Sequence, residues 1–361
     1  MRIGVDARPL ATHTGIGRYT REILARLTKV SAHQFFLYGA GTDEPSGERT
    51  RTRQLSLNRA FTRSMQARLQ FPRWAREDDL DVFWSPRHHL PRLHDVATVV
   101  TIHDMVWRKV PGTMRPMGRM LERIYMPQAL SSADSIIAVS RSTQRDIVEY
   151  CPEARPRIQV IHAAAFLRPE RSTITRERGR HLLFVGTFEP RKNLSRLLEA
   201  YAALVDRMPA APPLVLAGTP GWKVNIRSLV ERHELGSRVR IVERPSDRDL
   251  AELYAAAEYL VMPSLYEGFG LPIVESMSFG KPVITSDVSS MPEVAGSAAL
   301  LVDPLNVFDI SEKMYALLND RDLHRRLSEH ASKQAEAFSW DRAAMETLNV
   351  LEAAGARRSR D

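Results

Sequence analysis

Residues 263–282, PSLYEGFGLPIVESMSFGKP, bring two carboxylates to either side of a glycine-bearing turn. The stretch reads as a strand end, a loop, a short helix and the entry to another strand. Gly268 and Gly270 let the backbone turn tightly and come close to a ligand. Pro272 suits the first helical position, Gly280 the helix C-terminus, and Lys281 the end that favours a cation. The amides of Phe269, Gly270 and Leu271 would then open a helix, a natural place for phosphate. Glu267 precedes the turn, and Glu275 is expected in the first helical turn. Carboxylates accept hydrogen bonds, so vicinal sugar hydroxyls are natural partners. An anion cradle with hydroxyl acceptors at both ends suits a nucleotide-sugar. A plain strand–turn–helix with a solvated acid at each end fits the same spacing.

Other residues lie where strands end. Arg191 and Lys192, in GTFEPRKN, follow a strand and precede a helix. Two cations there can neutralise a leaving diphosphate; a solvated pair on a loop is the bland alternative. Gly15 and Gly17 follow the first strand and open a helix, where amides could meet phosphate or simply make a tight turn. His103 and Asp104, in TIHDM, follow another strand; Asp104 could orient the histidine, meet an acceptor or cap a helix. His88 and His89, in SPRHHLP, are candidates for the acceptor side. Three Asp-x-Asp triplets, at 79–81, 247–249 and 320–322, read as strand entry, helix cap and helical tail. We expect no metal from them, although Asp247 could line a base pocket. No zinc spacing, Gly-x-Ser-x-Gly or Walker pattern occurs.

Glu267-x7-Glu275, carried as EGFGLPIVE, resembles the Glu-x7-Glu signature of the retaining GT-B glycosyltransferases of family 4. The similarity runs from Met1 to about Leu351 and is nearest to mannosyltransferase-type members that build bacterial surface polysaccharides such as O-antigen. It implies that Glu267 grips donor-sugar hydroxyls and Glu275 the ribose hydroxyls. It also implies that Gly15 and Gly17 meet the donor diphosphate and that His103 contacts the donor sugar. Many relatives carry an arginine right after the strand glycine, where this chain has Thr187; Arg191 would supply that charge. The implied reaction moves a hexose, mannose from GDP-mannose, to a hydroxyl of a lipid-linked or growing glycan, without a metal cofactor. A same-fold epimerase and a non-catalytic partner subunit are the rivals.

To position these residues the chain must alternate strands and helices. Strands are expected at 3–7, 35–38, 82–85, 96–102 and 136–139, then at 181–186, 214–218, 239–242, 259–262, 283–285 and 299–302. Such alternation argues for doubly wound parallel sheets. A length of 361 residues suits two domains. A polar run within 166–180 divides them, giving 1–170 for the acceptor and 171–338 for the nucleotide-sugar. Ligands of open α/β sheets bind outside the strands' carboxyl ends, so two facing sheets would bind across a cleft. Trp340, Ala343, Ala344, Thr347, Leu348 and Leu351 fall on one stripe of a last helix in 339–361, and the resemblance implies that it crosses back to the first domain. Its tail from 356 is expected to be disordered.

Charge separates the halves. The net charge is +8, with residues 1–170 carrying +9 and the remainder −1. Between Glu48 and Glu77 lie eight arginines and no acid. Leu57, Phe61, Met65 and Leu69 recur there at four-residue spacing, and 114–126 mixes Met117, Met120, Leu121 and Ile124 with three arginines. Two basic amphipathic stretches favour peripheral contact with anionic lipid over simple packing. Nucleic acid is disfavoured because no recognition motif accompanies the charge. The start, MRIGVDARPL, lacks a signal peptide's apolar region, and no apolar run reaches membrane-spanning length. With a single cysteine, Cys151, the reading is a cytoplasmic protein at the inner face of the membrane.

Overall fold

The computed structural model describes residues 1–12, 14–41, 49–56, 60–169 and 181–358, with side chains for all of these but 60–64 and 358. They form two compact units. The first comprises Met1–Met105, Met120–Ala163 and Trp340–Asp361; the second comprises Val106–Arg119 and Ala164–Ser339.

The first unit is built on seven parallel strands: β1 (Arg2–Asp6), β2 (Gln34–Tyr38), β3 (Thr50–Arg53), β4 (Val82–Ser85), β5 (Ala97–Ile102), β6 (Ser135–Ala138) and β7 (Ile158–Val160), ordered β3-β2-β1-β4-β5-β6-β7. Val5 pairs with Leu37 on one side and Trp84 on the other, and Val99 continues the row from Trp84. All of these residues are fully buried. Both faces are covered, which is why the central strands read as continuous apolar runs. The strand order reverses between β1 and β4, so the carboxyl ends of these two strands flank the switch point where such sheets bind ligands.

Two helices show why the sequence folds this way. In the Gly15–Val30 helix, Tyr19, Ile23, Leu24 and Leu27 form the buried stripe. The Trp340–Arg358 helix packs on it and on β4, β5 and β6. Arg26 donates to Asp341 at 2.6 Å, and the Tyr19 and Trp340 rings meet edge-on with centroids 5.8 Å apart. The final helix thus belongs to the first unit, as the resemblance implies. The expected disordered tail is corrected in part, because the helix runs on to Arg358.

The arginine-rich stretch is not one helix. Its first part, Thr50–Arg53, is the edge strand β3, where charge discourages further pairing. Period-four spacing could not reveal a strand of alternating Thr and Arg. The Ala60–Glu77 helix follows, burying Ala67, Phe71 and Ala75 and leaving Met65 and Leu69 exposed. Leu57, Phe61, Arg59 and Arg63 lie outside the described side chains. The short β7 was also not foreseen.

The second unit has six parallel strands: β8 (His181–Val185), β9 (Leu214–Gly218), β10 (Val239–Glu243), β11 (Ala257–Met262), β12 (Val283–Ser286) and β13 (Ala299–Val302), ordered β10-β9-β8-β11-β12-β13. Its order reverses between β8 and β11. The residues that follow these two strands therefore share the switch point. No helix among the described residues is long and apolar enough to cross a membrane.

Candidate functional site

At the switch point of the second unit the sequence-predicted residues converge. After β8, a short 3-10 turn, Pro190–Lys192, carries Arg191 and Lys192. It ends at Asn193, whose φ of 59° lies in the left-handed region that asparagine tolerates. The Asn193 amide fixes the turn by donating to the carbonyls of Pro263 and Pro304, at 2.9 and 2.6 Å. After β11 comes Glu267. Its Oε2 accepts from Arg191 Nη1 and its Oε1 from Lys192 Nζ, both at 2.6 Å. Arg191 also donates to the Tyr266 carbonyl at 2.9 Å and to Glu189 at 2.8 Å. One carboxylate thus holds two cations side by side.

Burial alone would raise the Glu267 pKa, but Arg191 and Lys192 outweigh it and hold the group at about 2. The same burial draws the Lys192 ammonium downward while Glu267 supports its charge. Glu267 is therefore ionised at neutral pH. With Glu189, which pairs with Arg191, two cations face two carboxylates, so the cations are fixed in place by their partners.

The turn after Glu267 is fastened by two serines that the sequence reading missed. Ser289 Oγ accepts from the Glu267 backbone N–H at 3.0 Å. Ser290 Oγ is within 2.9 Å of the Glu267 carbonyl and 2.8 Å of the Phe269 carbonyl. The paired Ser-Ser before Met-Pro is the signal the sequence offers for them. Gly270 caps the Leu271–Ser278 helix with φ of 104°, a conformation that strains any L side chain. The amides around Gly270 open this helix as expected, while Phe269 is buried with its ring edge-on to Phe338. Pro272 stands second, not first, in the helix. Glu275 is fifth, a turn later than expected. It is buried and accepts from the Tyr254 hydroxyl at 2.8 Å. Tyr254 is a second residue that the sequence analysis did not single out.

Asp247 is the exposed first residue of the Asp247–Ala256 helix. Its neighbour Asp249 completes a capping box with Ser246. Asp320 caps its own helix through the Leu323 amide at 2.8 Å, and Asp81 accepts from the Arg2 amide at 2.6 Å. Each triplet thus lends a carboxylate to the backbone.

In the first unit, His103 follows β5. Its Nε2 lies 2.8 Å from the Pro86 carbonyl, which can only accept, so Nε2 carries the proton. Nδ1 is left with its lone pair. Burial pushes the His103 pKa down, partly offset by Pro86 and Asp104, so the ring is neutral at pH 7. Tyr19 meets it edge-on, with centroids 5.0 Å apart. Asp104 is half-buried beside it. Gly15 opens its helix, but the Gly17 amide is spent on the N-cap, donating to Thr14 Oγ1 at 3.3 Å. A Cβ at Gly17 would come within 2.1 Å of the Thr12 carbonyl and 2.6 Å of that of Pro9. Close backbone packing therefore explains this glycine without a ligand. His88 Nε2 lies 2.9 Å from Glu122 Oε2, and the His88 and His89 rings meet edge-on. Ligand-type atoms of His88, His89 and Glu122 fall within 4.8 Å of one another.

Comparison with known proteins now bears on these two switch points. Residues 13–164 match the Glycosyltransferase Family 4 model, and residues 170–334 match Glycosyl transferases group 1. The O-antigen chain mannosyltransferase B of Escherichia coli is 33% identical over 366 residues, spanning 93% of this chain and 95% of the relative. The chain belongs to glycosyltransferase family 4. It is a glycosyltransferase by that membership. Its fold is that of the sucrose-phosphate synthase of Thermosynechococcus elongatus (TM-score 0.80, 20% identity, 99% of this chain and 100% of the other). Anabaena Alr3699/HepE, solved with UDP and glucose, shares it too (TM-score 0.73, 16% identity, 97% and 99%). The GT-B architecture foreseen from the sequence therefore stands.

Proposed function

We propose that this enzyme transfers mannose from GDP-mannose, with retention, to a hydroxyl of a lipid-linked or growing surface-polysaccharide glycan. The observation that carries the proposal is the trio Glu267, Arg191 and Lys192 beside the helix that opens at Gly270. Arg191, Lys192 and the helix-opening amides receive the charge that builds on the leaving diphosphate. The bond from the anomeric carbon to the diphosphate breaks as the acceptor oxygen bonds on the same face. The acceptor proton passes to the leaving phosphate oxygen. Glu267 fixes the two cations and offers its remaining acceptor capacity to sugar hydroxyls, and Glu275 serves the ribose. His103 supplies a neutral imidazole whose Nδ1 lone pair suits positive charge at the anomeric carbon. Cationic side chains do the work of a metal, so turnover is expected to persist in EDTA.

Mannose as the sugar is supported by the likeness to the O-antigen chain mannosyltransferase B of Escherichia coli; GDP as the nucleotide is what the family resemblance implies. The experiment is a donor panel of GDP- and UDP-sugars with a mannoside acceptor, products resolved by mass spectrometry and NMR. An α-mannoside from GDP-mannose supports the reading. Transfer only from UDP-sugars overturns the donor, a β-linked product overturns retention, and donor conversion without acceptor points to an epimerase.

We also propose that the enzyme works at the inner face of the cytoplasmic membrane. Met65, Leu69, Met120 and Ile124 are each at least half exposed beside arginines of the same helices. Flotation with anionic vesicles at low and high salt tests this; absence of binding at low salt counts against it.

A further inference from the structure

His103 makes one hydrogen bond through its ring, from Nε2 to the Pro86 carbonyl at 2.8 Å. The strands that carry these two groups are tied just beneath them. Trp84 Nε1, two residues before Pro86, donates at 3.0 Å to Thr101 Oγ1, two residues before His103. Trp84 and Thr101 are fully buried, so this tie fixes where the Nε2 bond can form. It does not fix the ring plane, because a single hydrogen bond tolerates a range of donor angles. The Nδ1 lone pair lies in the ring plane and turns with it.

Tyr19 removes that freedom. Its ring stands at 90° to the imidazole with centroids 5.0 Å apart, an edge-to-face arrangement that aromatic pairs prefer. Tyr19 is itself clamped. It is 2% exposed on the Gly15–Val30 helix, and the Trp340 ring lies 5.8 Å from its own at 68°. The Tyr19 hydroxyl sits beside those of Thr101 and Thr347 without a full hydrogen bond to either. Burial pushes its pKa up to about 12, so it keeps its proton. Thr101 Oγ1 already accepts from Trp84, and Thr347 Oγ1 donates to the Ala343 carbonyl at 2.7 Å. The ring of Tyr19, rather than its hydroxyl, therefore makes the contacts that hold.

Trp340 and Thr347 belong to the Trp340–Arg358 helix and stand seven residues apart, two turns along one face. Thr347 is fully buried and Trp340 nearly so. Both ends of the Tyr19 side chain thus meet the same helix.

We propose that the final helix, through Trp340 and Thr347, holds Tyr19 so that Tyr19 sets the plane of the His103 imidazole and aims its Nδ1 lone pair. Tyr19 and Trp340 are positioning residues for the transfer, a role that rests on the part given to His103 above. A change at residue 340 then reaches His103 through two ring contacts.

Steady-state kinetics and imidazole NMR on the full-length enzyme test this. Tyr19→Leu should lower kcat about tenfold and Trp340→Leu about threefold, with the KM of donor and acceptor within about twofold of wild type. Tyr19→Phe keeps the ring and should restore kcat to within about twofold of wild type, with no fall in melting temperature, because the lost hydroxyl had no full hydrogen bond. A double-mutant cycle separates positioning from general damage. In a His103→Gln background, Trp340→Leu should cost nothing further in kcat, since its effect runs through the imidazole. With His103→Gln impaired as expected, any of three results overturns the proposal: wild-type kcat in Tyr19→Leu, equal losses in Tyr19→Leu and Tyr19→Phe, or an undiminished loss from Trp340→Leu in the His103→Gln background. In enzyme carrying 15N-histidine, the signal missing from His103→Gln identifies the Nε2 proton. That proton should exchange with water faster in Tyr19→Leu and Trp340→Leu, and at the wild-type rate in Tyr19→Phe. Unchanged exchange in Tyr19→Leu also overturns the proposal. Faster exchange there, with His103→Gln turning over at the wild-type rate, supports the positioning and overturns the role of His103 in the transfer instead. If Trp340→Leu does not fold, Trp340→Phe takes its place.

Discussion

The two sheets use one device at their switch points and finish it differently. In the second unit, residues after β8 and β11 neutralise one another. Glu267 takes both Arg191 and Lys192 at 2.6 Å, and all three are buried or nearly so. In the first unit, residues after β1 and β4 leave charge over. Asp6 satisfies part of Arg8, while Arg68 and His89 line a small pocket with Tyr125. A closed ion-paired cluster holds its groups in fixed positions, which a developing transition-state charge requires. The proposed mechanism uses the first arrangement, whose charged groups are already fixed before any ligand arrives.

The largest effect should come from breaking the closed cluster. Glu267→Ala leaves Arg191 and Lys192 without their shared carboxylate, and Lys192→Ala removes what the proposed mechanism uses as a leaving-group partner. Either should lower kcat about a hundredfold or more. Glu267→Ala should also cost about 3 kcal/mol or more of stability, because it strands buried charge. Circular dichroism and urea midpoints separate the two effects. The pH dependence gives a finer reading. Glu267 sits at about 2 against an ordinary 4.5, so its pairing adds stability above about pH 4.5. That contribution disappears as pH falls towards 2. The stability gap between wild type and Glu267→Gln should therefore narrow over this window. A constant gap would mean that the carboxylate is not held by its two cations.

Next in size is Gly17→Ala, which tests whether the first unit keeps this glycine for a phosphate or for packing. The new Cβ would press on two backbone carbonyls, at 2.1 and 2.6 Å, that cannot yield easily. The melting temperature should fall by an amount equivalent to about 1–3 kcal/mol, with or without donor present. A variant of normal stability with a raised donor KM would return the glycine to the donor site.

What the sequence revealed and what it hid follow the same physical line. Strand cores, the Gly270 turn and the Glu267 and Glu275 pair were legible because buried parallel strands and left-handed turns demand particular residue types. The last helix was legible from the stripe that begins at Trp340, while its return to the first unit was legible only through resemblance. The Ser289 and Ser290 fastening was hidden, because a serine that bonds a carbonyl from a distant loop looks like any loop serine. Tyr254 was hidden for the opposite reason: its apolar ring fits the helix stripe and its hydroxyl gives no spacing signal. Arg8 was passed over because an arginine after a first strand looks solvated until Asp6 is seen beneath it. The edge strand β3 was missed because polar, charged edges lack the apolar alternation that marks inner strands. Long-range polar contacts depend on which loops the fold brings together, and local pattern carries little of that.

His103 gives a smaller and more diagnostic effect. Its Nε2 proton is committed to the Pro86 carbonyl and burial holds the ring neutral, so activity should show no acid limb near histidine's ordinary 6.5. His103→Gln should reduce kcat about tenfold to a hundredfold without altering the pH profile between 6 and 8. An acid limb near 6.5 that the substitution removes would show that the imidazole titrates during turnover and would reverse its assigned role.

The smallest effect sharpens the contrast most. Tyr254 donates to Glu275 at 2.8 Å inside the second unit, and its ring stacks on Phe279 at 5.6 Å. Tyr254→Phe keeps the ring and removes one hydrogen bond to a buried carboxylate, a loss of about 1–3 kcal/mol if the group is left unsatisfied. If Glu275 holds the ribose, its freed oxygen becomes a less ordered acceptor. The donor KM should then rise about threefold to tenfold, with kcat nearly unchanged and the KM of the acceptor unaffected. Acceptor and donor constants rising together would show that the two clusters are coupled. Unchanged constants with a lower melting temperature would confine Tyr254 and Glu275 to the core of the second unit.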